Sequence, residues 1–204
     1  MDRFDRKDYF WRRAKKEGYR SRATYKLLHL QDRYRIFRKG DRVVDLGCAP
    51  GGWLQVIADA IGPGGRAVGL DRNPIEPLPF STVHFVHGDI RDQSVREQIA
   101  AYLNGSADVV TSDMAPDLSG IRFRDHHLSC ELAIAGLEFC SDILRQGGTY
   151  LTKVFEGEEL NDLHVKLRHS FKLVKRIVPD ASRKGSSEIY LLAKGFMWTK
   201  ADQV

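Results

Sequence analysis

Residues 42–53 read Arg-Val-Val-Asp-Leu-Gly-Cys-Ala-Pro-Gly-Gly-Trp. A short apolar run closes on Asp45 and passes straight into a glycine-rich turn. Residues 53–61 beyond it have a helical pattern, which breaks at Gly62-Pro-Gly-Gly65. Strand, glycine turn and helix in that order form the first half of a βαβ unit. Glycine lets the backbone turn sharply and approach a ligand with no Cβ in the way. A dinucleotide fingerprint spaces its glycines GxGxxG, whereas here the spacing is Gly47-x-x-x-Gly51-Gly52 with Pro50 inside the turn. The turn therefore departs from the dehydrogenase pattern.

The alternation continues downstream. Residues 66–70, 83–86, 107–111, 149–155, 173–178 and 189–193 read as strands. Residues 94–103, 129–144 and 160–170 read as helices, with Gly147-Gly148 as a C-terminal stop signal for the second. Strands separated by helices of this length predict a mostly parallel, doubly wound α/β sheet. In such sheets ligands bind beyond the carboxyl ends of the strands.

Those ends carry a consistent chemistry. The first holds Asp45. The second ends at Asp71, where a carboxylate can accept both hydroxyls of a ribose. The third ends in His87-Gly-Asp89-Ile90, where Asp89 can accept from an adenine amino group and Ile90 can pack on the ring. Each carboxylate alone reads as a surface or capping residue, but three beside one glycine turn read as a nucleoside site. The fourth strand ends at Asp113, in Ser112-Asp-Met-Ala-Pro-Asp-Leu-Ser-Gly120. The fifth carries Lys153 within the apolar Tyr150-Leu-Thr-Lys-Val-Phe155. Lysine is rarely buried without a partner, and the bland alternative is an edge-strand lysine reaching water. Glu188 opens the last strand after Ser182-Arg-Lys-Gly-Ser-Ser187. Arg20-Ser-Arg-Ala-Thr-Tyr-Lys26 opens an amphipathic helix near the start.

The chain has 204 residues, 42% hydrophobic and 29% charged, which fits one globular domain able to bury a core without disulfide or metal staples. No apolar run nears the roughly 20 residues of a membrane span. The opening residues lack the apolar segment of a secretory signal, so a cytoplasmic protein is expected. Cys48, Cys130 and Cys140 have no CxxC spacing, so three reduced thiols are expected. Charge is unevenly divided: residues 1–42 carry 15 basic and 6 acidic side chains, net +9, and the remainder is net −4. A basic head on an acidic body suggests a polyanion partner, because phosphate contacts release counterions. Lys15, Lys16, Arg20 and Arg22 are candidate phosphate contacts, with Tyr19 and Tyr25 as stacking surfaces. The alternative is a solvated basic helix face.

These residues, in this order, closely resemble the FtsJ family of S-adenosylmethionine-dependent RNA ribose 2′-O-methyltransferases. The matching segments are RSRATYKL, VVDLGCAPGGW, GDIRD, SDMAPDLSG, LTKVFEGE and SRKGSSEIYLLAKGF, covering roughly residues 18–196. The resemblance implies a Rossmann-like class I methyltransferase fold: a seven-stranded, mostly parallel sheet flanked by helices. A basic N-terminal helical segment for RNA docking (residues 1–40) would precede the methyltransferase domain (41–200). The cofactor S-adenosylmethionine would lie against Gly51, Trp53, Asp71, Asp89 and Asp113. Lys26, Asp113, Lys153 and Glu188 match the family's catalytic tetrad, with no substitution at any of the four. The resemblance to short bacterial members implies a uridine in the A loop of large-subunit ribosomal RNA as target and the large ribosomal subunit as partner. Related members act on tRNA anticodon loops or mRNA caps.

In that chemistry Lys153 is either a neutral base that takes the ribose proton or an ammonium that orients the hydroxyl and stabilises developing charge. Burial and Lys26 oppose its protonation, whereas Asp113 and Glu188 favour it. Two other classes compete: a nicotinamide-dependent oxidoreductase, against which the glycine spacing argues, and a catalytically silent RNA-binding assembly module, against which the intact tetrad argues. His126-His127 is no metal pair, since adjacent helical residues point apart, and no metal site is expected. A monomer is expected because no long apolar stripe is left over.

Overall fold

The central strands are buried almost continuously, with successive residues packing on opposite faces of the sheet. The computed structural model describes residues 5–178 and 187–197. Its elements are α1 (Asp5–Lys16), α2 (Thr24–Tyr34), β1 (Arg42–Leu46), α3 (Gly52–Ile61), β2 (Arg66–Asp71), β3 (Val83–His87), α4 (Gln93–Leu103), β4 (Ala107–Ser112), α5 (Arg122–Ile143), β5 (Leu144–Phe155), α6 (Leu160–Ser170), β6 (Phe171–Ile177) and β7 (Glu188–Phe196). One seven-stranded sheet has the order β3-β2-β1-β4-β5-β7-β6. The pairs from β3 to β5 are parallel, and β7 runs antiparallel to both β5 and β6. This is the Rossmann-like α/β sheet expected from the sequence.

Successive strand residues face opposite sides. Val43, Val109, Leu151, Tyr190 and Leu192 pack with Leu27 and Leu30 of α2 and with Trp53, Leu54 and Ile57 of α3. Val44, Leu46, Val110 and Val154 pack on the other side with residues of α4, α5 and α6. Inner strands covered on both faces read as largely apolar runs, and β1 is buried from Val43 through Leu46. A lysine or aspartate in such a strand is conspicuous, and the α2/α3 face carries both: Asp45 follows Val43, and Lys153 follows Leu151.

Three local expectations are corrected. Helix α5 begins at Arg122, two turns before residue 129. Its first turns are rich in arginine and histidine, so its apolar period starts late, although Asp125 and His126 are already buried. The helix also ends at Ile143, so Gly147-Gly148 is no helix stop. Gly147 has φ 75° and lies in the irregular entry to β5, where the register with β4 shifts between Ala107 and Val109. Helix α2 begins at Thr24, leaving residues 20–23 in the turn before it. Within the segment 182–187 read before the last strand, residues 182–186 lie outside the described residues. No described helix is long and apolar enough to cross a membrane.

Candidate active site

The glycine turn after β1 is held from both sides. Gly47 has φ 74°, and a Cβ there would lie 2.8 Å from the backbone of Met114, just past β4. Gly51, at φ 102°, precedes α3. Asp71 ties the end of β2 to this turn: one oxygen accepts from the Ala49 N–H at 2.9 Å, the other from the Asn73 N–H at 2.8 Å. Asp89 accepts from the Arg91 N–H at 2.9 Å and pairs with Arg72. The Arg91 N–H, joined by the Arg72 guanidinium, holds its carboxyl below the usual range. Ile90 lies in the core with Val86, Val95 and Ile99.

Asp45 is fully buried. The Thr111 hydroxyl donates to one of its oxygens at 2.7 Å, and the other has no partner. Burial pushes its carboxyl up to about 8. The carboxylates of Asp71 and Asp89 at the strand ends, with the unpartnered Asp45 oxygen below the glycine turn, form a polar edge. That polar set fits a nucleoside-bearing ligand that presents hydroxyl and amino groups.

The acceptor side of the site lies over β4, β5 and β7. Asp113 follows β4, where its N–H donates to the Leu46 carbonyl at 3.0 Å and fixes its backbone. Lys153 is 7% exposed and donates to both Asp113 Oδ1 (3.0 Å) and the Asp113 carbonyl (2.7 Å). Strand β5 lies between β4 and β7, so the edge-strand alternative does not apply. In β7, Tyr190 stands opposite Lys153 and Glu188 opposite Phe155. The two-residue period puts Glu188 and Tyr190 on the face of Lys153. Glu188 accepts from the Lys26 ammonium on the first turn of α2. The four residues thus form two ion pairs joined by strand register.

Trp53 places the fourth member. Its indole N–H donates to the Ala23 carbonyl at 3.1 Å, anchoring the start of α2 three residues before Lys26. Its ring lies 5.9 Å from that of Tyr190. Tyr190 is a site residue that sequence reasoning missed. Its hydroxyl donates to Asp113 Oδ1 at 3.2 Å, and burial pushes its pKa far up, so it stays a donor. The available signal was its position two residues after Glu188 in a strand.

Two expectations for the basic head are corrected. Arg20 donates to the carbonyls of Glu76 (2.5 Å), Pro77 (2.6 Å) and Pro50 (3.3 Å), so its guanidinium clasps the glycine turn to the β2–β3 loop and is no phosphate contact. Tyr25 is buried, donates to Glu17 at 2.9 Å and meets the Tyr19 ring edge-on, so it offers no open stacking face. Lys15 and Lys16 are exposed. His126 is buried between the Phe155 carbonyl (2.9 Å) and the Glu159 N–H (3.0 Å), while His127 faces outward and meets the Glu159 carboxylate at 2.8 Å. Among the described residues no three His, Cys, Asp or Glu side chains converge as a metal site. The three cysteines are buried and free.

Known proteins resemble this chain over nearly its whole length. The family model described as FtsJ-like methyltransferase matches residues 19–196. The ribosomal RNA large subunit methyltransferase E of Methanothrix thermoacetophila is 48% identical over 190 residues, 93% of this chain and 73% of the relative. The protein of that name from Methanothermobacter thermautotrophicus is 44% identical over 94% of this chain and 90% of its own length. A crystal structure from Plasmodium falciparum, described as a ribosomal RNA methyltransferase, superposes with a TM-score of 0.79 at 32% identity, covering 89% of this chain and all of the other.

Proposed function

The chain belongs to the FtsJ-like methyltransferase family, and from that premise we propose that it methylates a ribose 2′-hydroxyl of large-subunit ribosomal RNA, at a uridine of the A loop. The methyl donor in this reading is S-adenosylmethionine, which supplies an electrophilic methyl group on sulfur. Gly51 opens the backbone for it, Asp71 and Asp89 receive its hydroxyl and amino groups, Trp53 supports that wall, and Asp113 stands between donor and acceptor.

The observation that carries the proposal is the pair of hydrogen bonds from Lys153 to Asp113. A lysine nitrogen has four tetrahedral positions, one of them bonded to its own carbon. Asp113 occupies two more, so one position remains to face a substrate. As a neutral amine, Lys153 presents its lone pair there and takes the 2′-hydroxyl proton. As an ammonium, it presents an N–H that orients the oxygen and steadies its growing charge. In both cases the oxygen–methyl bond forms as the sulfur–methyl bond breaks. The hydroxyl proton passes to Lys153 when it is a neutral amine, and is lost late to water when it is an ammonium, which has no lone pair to take it. Tyr190 holds Asp113 in place for this. The Lys26–Glu188 pair places a second ammonium on the same face to attract the RNA backbone.

The test is transfer of labelled methyl from S-adenosylmethionine to large-subunit ribosomal RNA, with the modified ribose mapped. Lys153→Ala and Asp113→Ala should each lower turnover by at least about a hundredfold, as expected for loss of acid–base chemistry. Lys153→Ala should still bind S-adenosylmethionine. Full activity in Lys153→Ala, or methylation on a base nitrogen, overturns the proposal.

A further inference from the structure

Large apolar side chains that a folded protein leaves exposed together usually mark a contact surface. Among the described residues seven are exposed, and three of these, Leu118 (69%), Ile121 (60%) and Phe123 (65%), fall within six positions. Their exposure is built into an ordered turn. Asp125 is largely buried and accepts from the Ser119 N–H (2.8 Å), the Ser119 hydroxyl (2.7 Å) and the Gly120 N–H (3.2 Å). The Ser119 hydroxyl in turn accepts from the Ile121 N–H at 3.2 Å. The apolar side chains therefore project from a rigid platform.

The platform lies in the connection that leaves the candidate site at Asp113, and it includes the first turn of α5. One turn further along, His126 fastens that helix to the Phe155 carbonyl, two residues beyond Lys153 in β5. Helix α5 runs from the carboxyl end of β4 back to the start of β5, so its first turn points outward. At about 1.5 Å of rise per residue, Phe123 lies roughly 4–5 Å farther out than His126. It is on the α5 side of the sheet, opposite the side packed by α2.

The composition of the platform names its occupant. Exposed Arg122 and Arg124 flank Phe123. Aromatic rings interleaved with guanidinium groups suit unpaired nucleic acid, where rings stack on bases and cations meet phosphates. We propose that Phe123 stacks on an unpaired nucleobase beside the target ribose, with Arg122 and Arg124 on the adjoining phosphates. This rests on the RNA methyltransferase reading above and extends it to a grip from both sides of the sheet.

The experiment uses the full chain, large ribosomal subunits and the RNA extracted from them. Phe123→Ala should raise the KM for RNA about tenfold or more, the loss of one base–aromatic stack. The KM for S-adenosylmethionine, the melting temperature and the salt dependence should stay unchanged. Phe123→Tyr should behave as the wild type, and Phe123→Leu should not. Replacing Arg122 and Arg124 together by alanine should flatten the log–log salt dependence by about 1–2 units. A photo-crosslinker at position 123 should attach to ribosomal RNA in whole subunits. Wild-type kinetics in Phe123→Ala, full rescue by leucine, or crosslinking to a ribosomal protein in place of RNA each overturn the inference while leaving the enzyme reading intact. A wild-type chain that transfers no methyl group to RNA overturns both.

Discussion

Arg20 commits its guanidinium to three carbonyls on two separate loops, and its own N–H donates to the Gln55 side chain at 2.9 Å. Gln55 also donates to the Gly18 carbonyl at 2.9 Å, so the segment entering α2 is fastened to α3. Removing Arg20 frees the glycine turn and the β2–β3 loop from each other, and both flank the proposed adenosine position. Arg20→Ala should therefore raise the KM for S-adenosylmethionine by about tenfold, the equivalent of one or two charge-assisted hydrogen bonds. RNA affinity and its salt slope should not move. Arg20→Lys should recover only part of the loss, because one ammonium cannot replace a planar fork across two loops. Steady-state KM values for both substrates decide this, and an RNA defect with unchanged cofactor kinetics would restore Arg20 as a phosphate contact. Residue type alone could not separate these roles. A sequence shows that an arginine is present in a basic head, but not whether carbonyls 30 to 57 positions away claim its donors. Lys153 was legible for the opposite reason: a lone cation in an apolar strand is conspicuous before any partner is known.

At the scale of elements, strand positions were legible because inner parallel strands are apolar on both faces, and the glycine turns mark where they end. Helix α5 was less so. Its first two turns look polar, and its contact with β5 depends on a small residue whose importance shows only in space. A Cβ at Gly136 would lie 2.1 Å from the Tyr150 hydroxyl oxygen and 2.9 Å from Cζ. That hydroxyl donates to the Ala133 carbonyl at 2.9 Å, so ring and helix are locked together. Gly136→Ala should cost about 1–3 kcal/mol through overpacking. At roughly 2–4 °C per kcal/mol for a chain of this size, melting should fall by several degrees. Tyr150→Phe in the Gly136→Ala background should recover part of that loss, since it removes the nearest atom but leaves Cζ in place. Thermal unfolding of the two variants measures this. An unchanged melting temperature in Gly136→Ala would mean that α5 stands farther from the sheet. Because β5 carries Lys153, any shift of α5 that reaches the strand should also lower turnover.

For the whole molecule, the uneven charge has a structural setting that composition could not show. Leu27 and Leu30 of α2 are fully buried in the core shared with α3, so the basic head is anchored to the sheet through the helix that carries Lys26. RNA held at the head is therefore held at a fixed distance from the Lys26–Glu188 pair. Lys15, whose ammonium lies 4.4 Å from the Trp11 ring centroid, and Lys16 are exposed on the last turn of α1. Each phosphate contact contributes about 0.7–0.9 to the slope of log affinity against log salt. Converting both lysines to glutamate should raise the KM for ribosomal RNA at moderate salt and reduce that slope by nearly 2, with the KM for S-adenosylmethionine unchanged. At high salt, where the ionic contribution is screened, variant and wild type should converge. The Phe123 variant should keep its deficit there, because stacking does not depend on released ions. Combining the two changes should give multiplied effects on KM, as for independent sites on opposite faces of one sheet. A variant indistinguishable from wild type at every salt concentration would return the head to a solvated basic surface, leaving RNA capture to the cleft and the α5 platform.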